Sequence, residues 1–112
     1  MGRLIMAIND LSPQDFQKLA RFFYVFSDPT RLKIITLLLN MEQQSRCVNN
    51  IAQQLNISQP SVSQQLRILK EAGLVKVKRD RQFYRYSIND NHVAELIRIG
   101  IEHITEQKGV QS

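Results

Sequence analysis

Hydrophobic residues recur at helical spacing in the first third of the chain and predict two helices. Ser12-Pro13-Gln14-Asp15 supplies an N-cap, a first-turn proline and an acid, so a helix is predicted from this cap to about Phe26. Its apolar face is predicted to be core or a contact between subunits rather than a cofactor pocket, and comprises Phe16, Leu19, Phe22, Phe23 and Phe26. Asp28-Pro29-Thr30 repeats the pattern and predicts a second helix from Thr30 to about Met41. Its predicted buried residues are Leu32, Ile35, Leu38 and Leu39.

The middle of the chain has the pattern of two helices joined by a short turn. A short helix is predicted from about Val48 to Leu55, and Asn56-Ile57-Ser58 forms the turn. The next helix lies within Ser58–Val75 and ends at Gly73, because glycine readily adopts the left-handed conformation that stops a helix. Its inward face comprises Val62, Leu66, Leu69 and Gly73. Its outward face is polar and comprises Ser61, Ser63, Gln64, Arg67 and Lys70. This arrangement is a helix-turn-helix.

Alternating residues after the helix-turn-helix predict a two-stranded hairpin. Its strands are Val75–Lys78 and Phe83–Tyr86, and the connection Arg79–Gln82 has a basic tip without glycine, which leaves the turn type open. A hairpin with a basic tip in this position is a wing, suited to contacts with the backbone or minor groove of DNA. A last helix is predicted from about Asp90 to Gln107. We therefore expect one domain, residues 1–112, mainly α with a β-hairpin wing: a winged helix-turn-helix of order ααααββα.

Positive charge is concentrated in the second of these two helices and the wing. The formal net charge is +5, and seven basic against two acidic residues between Leu66 and Tyr86 account for the whole excess. Such a patch favours binding to DNA phosphates, and amide and hydroxyl groups on a helix can read base edges. The alternatives are a solvated surface helix and a basic membrane-surface helix, of which the second requires one large apolar face that is absent from this window. The residues predicted to contact DNA are Gln59, Ser61, Ser63, Gln64, Arg67, Arg79 and Arg81.

Composition restricts the class of protein further. Hydrophobic residues make up 43% and charged residues 22% of the chain, which is typical of a globular domain. No apolar run is long enough to span a bilayer, so no membrane partner is expected. The single cysteine, Cys47, excludes an internal disulfide and fits a reducing cytoplasm. No Gly-rich loop or activated nucleophile is evident, so an enzyme is not expected.

Nearly the whole chain from Phe22 to Glu106 resembles the ArsR–SmtB family of bacterial metal-responsive winged-helix repressors. The segments that carry the resemblance are Asp28–Leu32, Ile57–Gln59, Val62–Leu66, Leu69–Val75 and Tyr86–Ile88. The resemblance implies a homodimer that binds a palindromic DNA operator and leaves it when a metal binds. Gln64 stands where many relatives have histidine, and we expect this difference to change operator preference more than the ability to bind.

The resemblance also indicates where a metal would bind. Many members of the family have a C-x-C pair on the third helix, but here the sequence is Cys47-Val48-Asn49, so that thiolate site has lost a principal ligand. The last helix instead matches the zinc ligands of the family's C-terminal-helix sensors. The matching residues are Asp90, His92, His103 and Glu106, and they include both histidines of the chain.

The spacing of these four residues predicts a site shared between two chains. His92 and His103 lie eleven residues apart, about three turns, so both project from one side of the helix but about 16 Å from each other. Two antiparallel helices across a two-fold axis would bring Asp90 and His92 of one chain to His103 and Glu106 of the other. Two imidazoles and two carboxylates suit tetrahedral zinc, and nickel or cobalt less well. The stripe predicted for the seam is Val93, Leu96, Ile97, Gly100, Ile101 and Ile104.

The sequence therefore predicts a zinc-responsive transcriptional repressor whose metal-free dimer binds a palindromic operator and is released when zinc binds at the last helices. The resemblance suggests that the controlled genes encode metal export or sequestration. One alternative is a winged-helix regulator with a vestigial metal site, in which the four residues are solvated and Cys47 senses redox, or no effector acts. Another is a winged-helix module used for protein assembly, which would bind DNA without steep salt dependence.

Overall fold

A computed structural model describes Ile8, residues 10–39 and residues 46–111, and its order of elements confirms the predicted fold. The helices are α1 (Pro13–Val25), α2 (Pro29–Leu39), α3 (Val48–Leu55), α4 (Gln59–Glu71) and α5 (Asn91–Gln111). The strands are β1 (Arg46–Cys47), β2 (Val75–Asp80) and β3 (Phe83–Ile88). The predicted end of the second helix near Met41 lies outside the described residues. The last helix extends four residues beyond its predicted end at Gln107.

Polar side chains cap the N-termini of the first two helices, as the sequence predicts. The Ser12 hydroxyl accepts from the Asp15 N–H at 3.1 Å, and the Ser12 N–H donates to the Asp15 carboxylate at 3.0 Å, forming a capping box. The backbone N–H and then the hydroxyl of Ser12 hold the pKa of Asp15 below its ordinary value. The Asp28 carboxylate accepts from the Arg31 N–H at 2.9 Å at the start of α2. Each cap satisfies a backbone donor that the first turn of a helix leaves unpaired.

The hydrophobic core draws residues from every helix and from β2. Its members are Val25, Phe26, Ile34, Ile35, Leu38, Ile51, Ala52, Val62, Leu66, Leu69, Leu74, Val75, Val93 and Ile97. The prediction for α2 was partly wrong, because Leu32 and Leu39 are only half-buried whereas Ile34 is fully buried. Ile34, Ile35 and Leu38 occupy one side of α2, and Leu32 and Leu39 lie roughly a quarter-turn or more from the centre of that side.

The aromatic face predicted for α1 is divided between the core and the surface. Phe26 is buried and Phe22 packs against the core, with their ring centroids 5.0 Å apart. Phe16, Leu19 and Phe23 remain 48%, 44% and 50% exposed in the isolated chain. Part of this face therefore belongs to the core, and the three exposed residues are available for the predicted contact between subunits.

The turn and the end of the helix-turn-helix depend on two residues with positive φ. Asn56 has φ 56° after α3, where the Ile57 N–H donates to the Ala52 carbonyl at 3.0 Å. Gly73 has φ 79° after α4 and confirms the predicted helix end. The Leu74 N–H donates to the Leu69 carbonyl at 2.9 Å and the Gly73 N–H to that of Lys70 at 3.0 Å, which is a Schellman motif. This motif directs the chain straight from α4 into β2.

The wing is longer than predicted and belongs to a three-stranded sheet of order β1-β3-β2. The β2–β3 register runs from Val75 opposite Ile88 to Asp80 opposite Phe83, which leaves a two-residue turn. Arg81 in that turn takes the positive φ of 61° that glycine usually supplies. The two-residue strand β1 pairs with β3 and was not predicted, because so short a strand has no alternation to detect.

Helix α5 is anchored to the domain only near its beginning. Val93 and Ile97 are 2% and 8% exposed and belong to the core, whereas every residue from 98 to 107 is exposed. The predicted seam stripe was therefore wrong in these two residues, because their side chains already pack within one protomer. The later turns of α5 extend beyond the domain, and their side chains are exposed on every side of the helix. None of the helices in the described segments is long and apolar enough to cross a membrane.

Candidate nucleic-acid interface and metal centre

Helix α4 presents the predicted polar side chains on the side opposite the core. Val62, Leu66 and Leu69 are fully buried, which turns the other face of the helix outward. Of the residues predicted to contact DNA on this helix, Ser61 is half-buried and the others are exposed, namely Gln59, Ser63, Gln64 and Arg67. The position of α4 as second helix of the motif is that of a recognition helix in the major groove.

Hydrogen bonds fix the beginning of α4 relative to α3. The Ser58 hydroxyl accepts from the Ser61 N–H at 3.3 Å as the N-cap of α4. The Gln59 side-chain amide donates to the Asn49 side-chain oxygen on α3 at 2.8 Å. Asn49, which takes the place of the second cysteine in the C-x-C pair that the resemblance suggested, supports the helix-turn-helix through its side-chain oxygen. The half-buried Cys47 lies at the N-cap position of α3, without a capping hydrogen bond from its side chain.

Arg31 connects the recognition helix to the first two helices. Its Nε donates to the Val25 carbonyl at 2.8 Å, and one terminal nitrogen donates to the Gln65 side-chain oxygen at 3.0 Å. The carbonyl ends α1 and the glutamine lies on α4, so one guanidinium fixes both relative to α2. No local sequence signal predicted this role for Arg31, the residue immediately after Asp28-Pro29-Thr30.

The wing exposes its two predicted arginines together with two aromatic rings that the sequence analysis did not single out. Arg79 donates to the Arg81 carbonyl at 3.0 Å, and its guanidinium carbon lies 5.9 Å from the centre of the Tyr84 ring. Phe83 and Tyr84 are 48% and 54% exposed. Further positive charge lines a groove along the hairpin, through Lys76, Lys78 and Arg85. The Asp80 carboxylate lies 3.0 Å from Arg85 Nε. Because Arg85 balances this negative charge, the charges of Arg79 and Arg81 keep the tip basic.

Two of the four predicted metal ligands, Asp90 and His92, lie side by side at the start of α5. The Asp90 Oδ1 accepts from the backbone N–H groups of His92 at 2.9 Å and Val93 at 3.3 Å, which places Asp90 at the helix cap. The same oxygen lies 3.5 Å from His92 Nδ1, and the His92 side chain is 96% exposed. A carboxylate and an imidazole are thus adjacent and open to a further ligand.

The other two predicted ligands, His103 and Glu106, lie three turns away and are both exposed. His103 Nε2 lies 3.1 Å from the Gln107 side-chain nitrogen. Nearby acids are already engaged: Glu95 and then Glu102 hydrogen-bond to Arg98 and raise its pKa. Within the described segments, no three His, Cys, Asp or Glu residues of one chain are grouped to hold a metal. The candidate donors of one chain are therefore divided between the two positions, and their imidazole nitrogens and carboxylate oxygens are atom types that commonly bind metal ions.

Comparisons with known proteins place these features in a family. The family model described as "Bacterial regulatory protein, arsR family" matches residues 28–77, from α2 through the recognition helix into β2. The "Transcriptional repressor SmtB homolog" of Synechocystis is 38% identical over 86% of this chain and 70% of its own length. The "Cadmium resistance transcriptional regulatory protein CadC homolog" of Staphylococcus aureus is 33% identical over 89% of this chain and 81% of its own length.

A solved structure extends the similarity to nearly the whole domain. The homodimeric winged helix-turn-helix DNA-binding domain of Mb0332 from Mycobacterium bovis superimposes with a TM-score of 0.76 at 26% identity. The match covers 88% of this chain and 87% of that one. The matching proteins are regulators of transcription, which confirms the expectation that the chain is not an enzyme. On the combined evidence of sequence and fold, this protein belongs to the arsR family of bacterial regulatory proteins.

Proposed function

We propose that this chain is a zinc-responsive transcriptional repressor of the cytoplasm. In this proposal its metal-free homodimer binds a palindromic operator and is released when zinc occupies two sites between the α5 helices. The observation that carries the proposal is the arrangement of donors on α5. One carboxylate–imidazole pair lies at each end, and each pair is exposed and incomplete by itself. Relatives named as repressors and as a cadmium-resistance regulator support the response to metal, and the donor chemistry favours zinc over nickel or cobalt.

The residues predicted to contact DNA would meet it from α4 and from the wing. Gln59, Ser63 and Gln64 project from α4 and would contact base edges in the major groove, with Ser61 and Arg67 at base edges or nearby phosphates. Arg79 and Arg81 would contact the backbone or minor groove from the wing, since both lie exposed at its tip. Arg31 would not touch DNA, but its bond to Gln65 holds α4 in place.

Homodimerisation would cover the apolar surface that one protomer leaves exposed. Phe16, Leu19 and Phe23 on α1 and the later turns of α5 have no place in the core of their own chain. Burial of apolar surface stabilises association by about 25 cal/mol per Å² before the entropic costs of binding. A second copy is also required to complete each set of metal ligands. Dimerisation and metal binding are therefore linked through the same helix.

The four ligands would be Asp90 and His92 of one protomer with His103 and Glu106 of the other. When bound, zinc would supply tetrahedral bonds that join the two α5 helices. Asp90 would keep its helix-capping bonds through Oδ1 and present its second oxygen, while His92 and His103 would present ring nitrogens. His103 would bind through Nδ1 with its contact to Gln107 intact, or through Nε2 once that contact, 3.1 Å between the two side-chain nitrogens, is released.

A direct connection leads from this site to the recognition helix. Asn89 precedes Asp90, and its side-chain amide donates to the Gly73 carbonyl at 2.9 Å. Its backbone N–H donates to the Leu74 carbonyl at 3.0 Å. Gly73 and Leu74 directly follow the C-cap of α4, so a change in the position of α5 would be transmitted to the helix proposed to read DNA. By linkage, DNA must weaken zinc binding by the same factor by which zinc weakens DNA binding.

The test is a zinc titration of the metal-free protein, followed by the fluorescence anisotropy of a labelled duplex selected in vitro with that protein. We expect two zinc ions per dimer, release of the duplex on zinc binding, and DNA binding that weakens steeply with salt. Glu106→Gln should weaken the response, whereas Glu95→Gln, which alters a carboxylate engaged with Arg98, should retain it.

Three outcomes would contradict parts of the proposal. Operator affinity that is unchanged with zinc fully bound would remove zinc from the function. Zinc binding that persists in an Asp90→Ala/His103→Ala variant would show that the α5 donors are vestigial. DNA binding without steep salt dependence would favour a module for protein assembly.

A further inference from the structure

The wing has one face that the proposed contacts with DNA leave unused. In the β2–β3 register, Lys76 lies opposite Ser87. Lys78 lies opposite Arg85, two residues further along each strand. Side chains of directly paired residues project to the same side of a sheet, as do those of residues two apart along a strand. These four side chains therefore share one face, the outer face of the wing, and they line part of a groove of about 680 Å³.

The opposite side of the hairpin lies against the core. Val75 is buried, and Ile88 and Tyr86 on β3 pack against the core. Arg79 and its partner Tyr84 continue this side towards the tip, with the guanidinium over the aromatic ring. The outer face therefore points away from the core into which α4 packs.

The outer face carries positive charge that the chain itself does not neutralise. Lys76 and Lys78 are exposed, and none of the ion pairs among the described residues includes either of them. Arg85 differs, since its Nε lies 3.0 Å from the Asp80 carboxylate. Lys78 lies directly opposite Arg85, and like charges at facing positions destabilise a sheet. An anionic partner on this face would offset that repulsion.

The spacing of the two lysines fits a phosphate backbone. Alternate residues of a strand lie about 6.8 Å apart, and one strand of DNA carries a phosphate about every 3.4 Å along the helix axis. The two lysines can therefore meet phosphates two steps apart on the same DNA strand. The groove also reaches Arg79 near the tip, so the outer face adjoins the part of the wing that is proposed to contact DNA.

We propose that the outer face of the wing binds the phosphate backbone of DNA that flanks the operator. The inference rests on the proposed function, because α4 must first place the protein on its operator. Since the outer face points away from α4, the phosphates within its reach lie beyond the base pairs that α4 and the wing tip contact. Lys76 and Lys78 supply the charge, and the Ser87 hydroxyl can donate to a phosphate oxygen. Backbone contacts carry no sequence information, so the flanks add affinity without base preference.

A solvated edge strand is the rival interpretation of the two lysines. Strand β2 lies at the edge of the sheet of order β1-β3-β2, and lysines on an edge strand prevent it from pairing with another chain. In that case the lysines would not meet DNA. Only the proposed contact makes affinity depend on the length of the duplex, so duplex length is the variable of the test.

The test compares two duplexes with the metal-free full chain in the presence of EDTA. The core duplex contains the two half-sites selected in vitro with this protein, and the long duplex adds about ten base pairs, one helical turn, at each end. Two unrelated flank sequences are used. The variant is Lys76→Gln/Lys78→Gln, and the matched control, Lys18→Gln/Lys33→Gln, removes the same charge from exposed lysines of α1 and α2. Fluorescence anisotropy gives each affinity over a range of salt concentrations.

We expect the unaltered protein to bind the long duplex at least about tenfold more tightly than the core duplex with either flank sequence. Lys76→Gln/Lys78→Gln should lose this advantage but keep its affinity for the core duplex within about twofold. A homodimer loses two lysine contacts from each protomer, so the slope of log affinity against log salt on the long duplex should become less steep by about 3–4. The control variant should retain the advantage of the long duplex.

Four outcomes separate this inference from the proposed function. Equal affinities of the unaltered protein for the two duplexes would overturn the inference, as would an equal loss on both duplexes in the lysine variant, which would place these lysines within the operator. An advantage of the long duplex that the variant retains would favour the solvated edge strand. A protein that prefers the long duplex but ignores zinc would leave this inference standing while the proposed function fails. A protein that binds neither duplex would contradict both.

Hydroxyl-radical footprinting adds a positional readout that a general effect of charge would not change. On the long duplex, the unaltered protein should protect backbone positions in both flanks, beyond the half-sites. Lys76→Gln/Lys78→Gln should lose the protection of the flanks and keep that of the half-sites. Protection by the unaltered protein that ends at the half-sites would contradict the inference.

Discussion

Asn89 offers a specific test of the proposed coupling between the candidate metal site and the recognition helix. Its side-chain amide donates to the Gly73 carbonyl at 2.9 Å, and this bond joins the residue before the candidate ligand Asp90 to the turn that follows α4. Asn89→Ala removes this bond but leaves the backbone bond from Asn89 to Leu74 in place. We expect the variant to fold, to bind zinc and to bind DNA without zinc, but to lose part of the coupling between the two.

The magnitude follows from the type of bond that is removed. A neutral intramolecular hydrogen bond contributes about 0.5–1.5 kcal/mol net, and this exposed bond belongs in the lower half of that range. The bond can transmit at most its own free energy, so about 0.5–1 kcal/mol of coupling should be lost. Zinc should therefore lower the DNA affinity of Asn89→Ala by a factor about two- to fivefold smaller than in the unaltered protein.

Fluorescence anisotropy of a labelled duplex, with and without saturating zinc, measures this factor for each protein. Asn91→Ala is the control, because it makes the same substitution two positions later, at the first residue of α5. Equal zinc-induced losses of affinity in Asn89→Ala and in the unaltered protein would refute the argument. A loss of DNA binding without zinc would instead show that Asn89 supports the position of α4 itself.

Three further substitutions test the architecture through urea denaturation. Arg31→Ala should lower the free energy of unfolding by about 2 kcal/mol, because two hydrogen bonds from a charged group are lost; Lys33→Ala on the same helix should change it by less than about 0.5 kcal/mol. Gly73→Ala should lower the free energy of unfolding by about 1–2 kcal/mol, because Gly73 has a positive φ. Gly100→Ala should raise it slightly, because an added methyl group there meets no other atom within 4 Å and alanine favours a helix more than glycine does. Changes of the same sign in the two variants would contradict this reasoning. Asp15→Asn should lower the free energy of unfolding at pH 7, because the lowered pKa of Asp15 means that the ionised carboxylate stabilises the cap. The difference between the two proteins should shrink as the pH falls below 3.8, the ordinary pKa of Asp, where the carboxylate becomes protonated. A difference that stays constant down to pH 2 would contradict this reasoning.

Local signals in the sequence were sufficient for most of the fold. Ser12 and Asp28 marked the helix starts, Gly73 marked the end of α4, and alternation marked the hairpin, because each depends on a few neighbouring residues. The bond from Arg31 to Gln65 was beyond such reasoning, since it joins residues 34 positions apart. The strand β1 was likewise missed, because its two residues are ordered by β3 rather than by their own pattern.

For the candidate metal site, too, the sequence supplied one part of the description and the tertiary structure supplied the other. The residue types and spacings on the last helix, read with the family resemblance, predicted Asp90, His92, His103 and Glu106 as donors and predicted that one chain holds two incomplete sets. The sequence could not tell which apolar stripe of the helix belongs to the core, since apolar residues occur on several sides of it. Only the packing of Val93 and Ile97 against the domain decided this, and it left Ile99 outside, between the histidines.

By itself, then, the sequence determined the helix-turn-helix, the wing, the concentration of positive charge and the chemistry of the donors, because these depend on local spacing and residue type. The tertiary structure decided which way each helix turns its faces, because burial depends on every element that packs nearby. It thereby assigned Arg31 to the support of α4 and Asn89 to the connection between α4 and α5. It also showed which side of α5 remains free, since Val93 and Ile97 are already buried in their own domain.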